Sequence, residues 1–245
     1  MIEVYKEVGH VDILAFGIHP DDVELSASGT VLSQIDQGYK VGVCDLTKGE
    51  LGSRGTVQTR LAEAIDASEI MGIDWRVNLE MADGFSTIDK EHILKIAEVI
   101  RLAQPKIILA NALDDRHPDH PRGAQLVREA FFFSGLKMIT SIKGQPHRAD
   151  TLYHYIQDKQ LLPDLCIDIS KHIDTKMDAI RAYKTQFYQG EHAEDKEGAT
   201  PISSKAFTDF MLAKMKVFGR AIQAEYAEGY NVHREIGVDD LMTLR

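Results

Sequence analysis

The chain has 245 residues, 44% of them hydrophobic and 27% charged, enough apolar content for one α/β domain with a substantial core. A formal net charge of −10 excludes broad nonspecific affinity for nucleic acid or an anionic membrane, since either needs an extended basic surface. The stretch MIEVYKEVGHVDILAFG lacks the basic start and unbroken apolar core of a signal peptide, and no run reaches membrane-spanning length. Cys44 and Cys166 sit in apolar runs that suit reduced thiols, and a cytoplasmic protein is expected.

In chain order, short Val-, Ile- and Leu-rich runs predict strands over 11–18, 40–46, 76–79 and 106–110. Between them, apolar residues recur every three or four positions over about 25–37, 56–71 and 91–103, the spacing of amphipathic helices. Gly38 and Gly72 follow two of these helices, where a C-terminal glycine is favoured. The second half predicts a helix over 119–133, strands over 151–156 and 165–169, and helices over 173–187 and 203–226. The polar stretch YQGEHAEDKEGATPISS (188–204) reads as a loop or lid. This alternation predicts a single domain over 1–245, α/β in class, with a mostly parallel sheet flanked by helices.

In open sheets of this kind ligands bind beyond the carboxyl ends of the strands, and three loops there are chemically loaded. These are HPDD after the first strand, TKGELGSRGT after the second and NALDDRHPDH after the fourth. His19 and Asp22, separated by two residues at a strand-to-helix turn, can converge on one cation, and His120 in RHPDH is the natural third ligand. Catalytic zinc commonly keeps three protein ligands and an open position. Asp21 then stands beside the metal without binding it. The competing reading has Asp21 or Asp22 capping the next helix; the two motifs together favour the metal. Such a donor set also accepts iron (Fe2+), cobalt or manganese. The loop after the second strand lacks the Gly-Lys-Ser/Thr end of a nucleotide loop, and the first turn lacks GxGxxG, which removes the case for a dinucleotide enzyme.

HPDDVELSASGT, LGSRGTVQTRLAEA, RHPDHPRGAQLVREAF and the C-terminal EGYNVHREIGVDDLM resemble the LmbE/PIG-L family of zinc-dependent N-acetylglucosaminyl deacetylases, in particular the subgroup of bacillithiol biosynthesis that acts on N-acetylglucosaminyl malate. The resemblance implies a Rossmann-like, LmbE-like fold, a Zn2+ cofactor on His19, Asp22 and His120, an amino-sugar conjugate as substrate, and a homo-oligomer, commonly a hexamer. It makes Asp21 the general base, His117 the stabiliser of the tetrahedral intermediate and Asp119 its orienting partner, the latter expected to favour a protonated imidazole. It assigns Arg54 to sugar or carboxylate binding; a solvated loop arginine is the other reading. Asp83 resembles an acid that binds sugar hydroxyls in relatives, although an Asp-Gly turn accounts for the same dipeptide. Arg116 suits an anionic aglycone, or pairs with Asp114 or Asp115. Tyr183 and Gln186 resemble a segment near the family's pocket, and an amphipathic helix face explains them equally. The remaining histidines, His154 among them, lack ligand spacing to any motif.

Overall fold

The computed structural model describes residues 7–190 and 198–243, so part of the predicted lid, 191–197, lies outside the described residues. Strand β1 (Ile13–Gly17) is buried along its whole length, as is β2 (Val41–Thr47), because helices cover both faces of the sheet. Alternate side chains divide between two layers. Ile13 and Ala15 pack with Val23, Ala27 and Val31 of α1 (Asp22–Asp36). Leu14 and Phe16 pack with Ile96 and Ile100 of α3 (Lys90–Ala103) and Leu126 and Val127 of α4 (Asp119–Ser134).

The other elements are α2 (Val57–Met71), β3 (Trp75–Met81), β4 (Ile107–Ala110), β5 (Thr151–Tyr155), β6 (Leu165–Asp168), α5 (Ile173–Arg181), α6 (Lys205–Ala221) and β7 (Ala227–Val232), with short 3-10 turns at Ser170–His172 and Leu241–Thr243. They form one seven-stranded sheet of order β3-β2-β1-β4-β5-β7-β6. Strands β3, β2, β1, β4 and β5 are parallel, and β7 runs antiparallel to both β5 and β6. The predicted Rossmann-like architecture is therefore the observed one. Strand order reverses at β1, between β2 and β4, which opens a crevice beyond the carboxyl ends of β1 and β4. No described helix is long and apolar enough to cross a membrane.

Helix α2 begins as its sequence suggests, the Thr56 hydroxyl accepting from the Thr59 amide, and ends at Gly72 in the left-handed region, φ 68°. Two C-terminal expectations are corrected. The helix predicted over 173–187 stops at Arg181, and the one predicted over 203–226 stops at Ala221. Gln223, at φ 58°, reverses the chain into β7, a strand absent from the sequence reading. Its AEGYNV sequence carries Gly, Glu and Asn, all poor strand formers, and forms a strand because β5 and β6 pair with it on both sides.

Helix α1, which carries Asp22, is gripped midway by a buried ion pair. Lys176 Nζ donates to the Glu24 and Leu25 carbonyls at 2.9 and 2.8 Å and lies 2.8 Å from Glu228 Oε1. The Glu228 carboxylate accepts from the amides of Gly29 and Thr30 at 2.9 and 2.7 Å. Gly29 is required by packing: a Cβ there would meet Ile169 at 2.7 Å.

His154 on β5 is buried, its Nδ1 donating to the Asn111 carbonyl at 2.8 Å and its Nε2 without a hydrogen-bond partner among the described residues. Burial first of all holds it neutral, with its pKa lowered to about 4. The unfolded chain takes up this proton near pH 6.5 and the folded chain only near 4, so stability falls as the pH drops through that window. The loss reaches about 3 kcal/mol at pH 4. Chemical denaturation across pH 4–8 should show His154→Asn with a flatter profile than the wild type in that window; identical slopes would refute the assignment.

Candidate metal centre

The crevice at the β1 and β4 ends opens into a cavity of about 310 Å³ whose lining includes His19, Asp21, Asp22, Arg60, Asp83, Arg116, His117, His120 and Gln186. The turn after β1 sets the first half of the centre. Asp22 Oδ2 accepts from the His19 amide at 2.9 Å, closing the turn, and lies 3.8 Å from His19 Nδ1. The second half comes from the N-terminus of α4, where His120 Nε2 lies 3.2 Å from Asp22 Oδ1. The three residues singled out by spacing thus meet, although they come from loops about a hundred positions apart.

Around them stands a shell the sequence reading assigned only in part. His19 Nε2 contacts Asp83 Oδ1 at 3.0 Å and Asp119 Oδ2 at 3.3 Å. His120 Nδ1 bonds to Asp115. Asn111 Nδ2 and Gln157 Nε2 each donate to one oxygen of Asp22, both at 2.9 Å. His19, His117 and His120 also offer nitrogens within 4.8 Å of one another, and the same holds for donors of His19, Asp83 and Asp119.

Burial alone would push the His19 and His120 pKa values down. Bonds from Asp119 and Asp83 overcome this at His19 and raise it to about 10. Asp22 and Asp115 do the same at His120 and raise it to about 9. At Asp22 the neighbouring histidines overcome burial and hold the carboxyl well below its usual range. The centre therefore favours positive charge, and a set of imidazoles and carboxylates fits a divalent transition metal. His19, Asp22 and His120 are the residues that would hold it. Because Asn111 and Gln157 orient Asp22, Asn111→Ala should weaken metal binding about 10–100-fold, whereas His120→Ala should abolish it. Competition with a chromophoric chelator reads both, and wild-type affinity in Asn111→Ala would contradict the orienting role.

Asp21 occupies the helix N-cap position without making a cap hydrogen bond, so the capping alternative fails. Its φ of 125° is far outside ordinary space for a non-glycine residue, a strain of about 1–3 kcal/mol tolerated where function requires it. Its carboxylate instead bonds to Arg60 of α2, a residue the sequence reading did not single out. Burial raises the Asp21 pKa to about 6 against the opposing pull of Arg60, which suits a base working near neutrality.

Asp119 likewise makes no helix cap. It accepts from the Gly84 amide and bonds to Arg122, besides touching His19. Only its backbone serves His117, whose Nδ1 accepts the Asp119 amide at 3.3 Å. Burial, followed by the positive neighbours His19 and His120, lowers the His117 pKa despite Asp119, opposite to the direction expected from a carboxylate partner. A neutral His117 with Nδ1 accepting carries its proton on Nε2, available as a donor.

Arg54 does not line the cavity. It donates to the Thr185 carbonyl at 2.6 Å and to the Gly198 carbonyl, and Arg60 is the guanidinium of that region facing the site. Arg116 does line it, but pairs with Asp158, not with Asp114 or Asp115. Asp83 is engaged by His19 and by the Leu51 amide. Tyr183 is buried, its hydroxyl donating to Glu24, while Gln186 reaches the cavity wall and donates to the Arg54 carbonyl.

The switch point of the sheet thus holds a His/Asp cluster that could take a metal, with the Arg60-paired carboxylate of Asp21 and the imidazole of His117 beside it. Residues 14–131 match the PIG-L family, described as GlcNAc-PI de-N-acetylase. The chain is 31% identical to the conserved protein TT1542 of Thermus thermophilus, whose crystal structure superposes with a TM-score of 0.84 over 94% of this chain and 98% of that one. It is 29% identical to the diacetylchitobiose deacetylase of Thermococcus kodakarensis, over 71% of this chain and 70% of that protein. It is 25% identical to the 4-oxalmesaconate hydratase of Pseudomonas putida (87% and 88%) and 28% identical to a probable N-acetyl-alpha-D-glucosaminyl L-malate deacetylase of Bacillus cereus (69% and 80%). Over residues 14–131 the chain is thus similar to the PIG-L de-N-acetylases, and over nearly its whole length to TT1542.

Proposed function

We propose that the protein is a metal-dependent hydrolase that removes acetate from the 2-acetamido group of an N-acetylglucosamine conjugate, with zinc as its metal. The observation that carries this reading is the placement of Asp21: a buried carboxylate beside the donor set, unused as a cap and held by Arg60. A divalent cation on His19, Asp22 and His120 would lower the pKa of a water and polarise the amide carbonyl. Asp21 takes the proton of the attacking water and returns it to the nitrogen of the leaving amine. Arg60 keeps that carboxylate oriented. The Nε2–H of His117 donates to the oxygen on which negative charge develops. Gln186 and Arg116 on the cavity wall face the rest of the conjugate. The name of the Bacillus relative puts N-acetylglucosaminyl malate among the substrates to be tested.

The test is acetate and free-amine release from a panel of N-acetylglucosaminides, alongside hydration of 4-oxalmesaconate, the reaction named for the Pseudomonas relative. Amine release from at least one glycoside and no hydration is expected; hydration without amine release would overturn the proposal.

A further inference from the structure

Away from the metal centre the same cavity changes character. Its wall there is apolar, built from Leu25, Ile202, Phe207, Phe210 and Met211, the last three on one face of α6. The half-buried Lys214, one turn further along α6, also lines the cavity, its Nζ 5.6 Å from the centre of the Phe210 ring. Among the described lining residues the other long cations are committed, Arg60 to Asp21 and Arg116 to Asp158. Lys214 makes no ion pair among the described residues. Burial has drawn its pKa down to about 8 against the pull of Asp115 and Asp158, so the ammonium is short of solvent yet charged at neutral pH. An apolar shelf ending in a desolvated, unpaired ammonium suits a ligand with the same polarity pattern reversed in sign.

We infer that Lys214 is a specificity-determining residue, and that the substrate carries beyond its sugar an apolar group bearing one anionic group, which lies on Phe207, Phe210 and Met211 with its anion on Lys214. This rests on the deacetylase reading and narrows it. A malate aglycone offers two carboxylates and little apolar surface, whereas the wall offers one unpaired cation and an aromatic shelf. A second sugar, as in chitobiose, supplies no charge for Lys214.

The experiment compares kcat/KM for the 4-carboxyphenyl, phenyl and malyl N-acetylglucosaminides. The 4-carboxyphenyl substrate should exceed the phenyl one by about tenfold or more and should also exceed the malyl one. Lys214→Met should bring the carboxyphenyl-to-phenyl ratio close to one, and Lys214→Arg should preserve it. Turnover of all three substrates without a carboxyphenyl advantage, a malyl preference, or a ratio unchanged in Lys214→Met would each overturn the inference and leave the deacetylase reading standing. A preference set by the length of the N-acyl chain, indifferent to aglycone charge, would do the same. Amine release from none of the three would overturn both.

Discussion

Asp21→Asn should lower the turnover of amide hydrolysis by about 10²–10⁴-fold, the contribution usual for a positioned general base, while leaving metal content unchanged. Asparagine is the informative replacement. It keeps the shape of the side chain and is among the few non-glycine residues that accept a positive φ, here 125°. It also leaves Arg60 an amide oxygen to bond. Alanine would remove the base but would add backbone strain and strand a buried guanidinium, so its loss of activity would mix chemistry with folding. Metal analysis of the purified variant, set beside its kcat, separates the base from the ligands. Near-normal turnover in Asp21→Asn would remove Asp21 from the mechanism, and loss of metal would make it a ligand.

The largest stability effect is expected away from the metal, at Lys176. Its ammonium and the Glu228 carboxylate are both buried, with side-chain exposures of 0% and 2%. Lys176→Met leaves Glu228 with the Gly29 and Thr30 amides but without a countercharge, at a cost of about 3–5 kcal/mol. In a chain of this size that lowers Tm by on the order of 10 °C. Glu228→Gln should cost less than this, since a neutral amide oxygen still accepts from the helix, and the double variant should be more stable than Lys176→Met. The cycle is read by thermal and urea unfolding. Full additivity of the two single changes would mean that the pair does not act as a unit. Because the pair clamps the helix that starts at Asp22, metal affinity in Lys176→Met should fall with stability.

Much of this molecule is legible from its residues because strong local signals coincide with what the tertiary structure needs. The Val- and Ile-rich strands alternate with helices of clear period, and their topology alone brings HPDD and HPDH to one crevice. The site's supporting shell is less visible. Arg60 lies on an amphipathic helix where nothing local distinguishes it from a surface arginine, and it faces Asp21 only because α2 packs beside α1. Asn111 and Gln157 reach Asp22 from the loops after β4 and β5, a convergence set by strand order. Asp115 was in view only as a possible partner for Arg116; its use by His120 depends on the path of the loop. Arg54 is equally hard to place from sequence: a charged residue in a glycine-bearing loop suggests ligand binding, and its guanidinium donates to the Thr185 and Gly198 carbonyls. Strand β7 was hidden for a similar reason, since pairing on both edges overrides a sequence with little strand preference of its own.

The proposed function places amide hydrolysis at a metal held by His19, Asp22 and His120. The most direct test is amine release from an N-acetylglucosaminide by chelator-treated protein, before and after addition of Zn2+, in the wild type and in His120→Ala. Chelation should stop release, zinc should restore it in the wild type, and His120→Ala should stay inactive. Release that continues undiminished in the chelator-treated protein would contradict it.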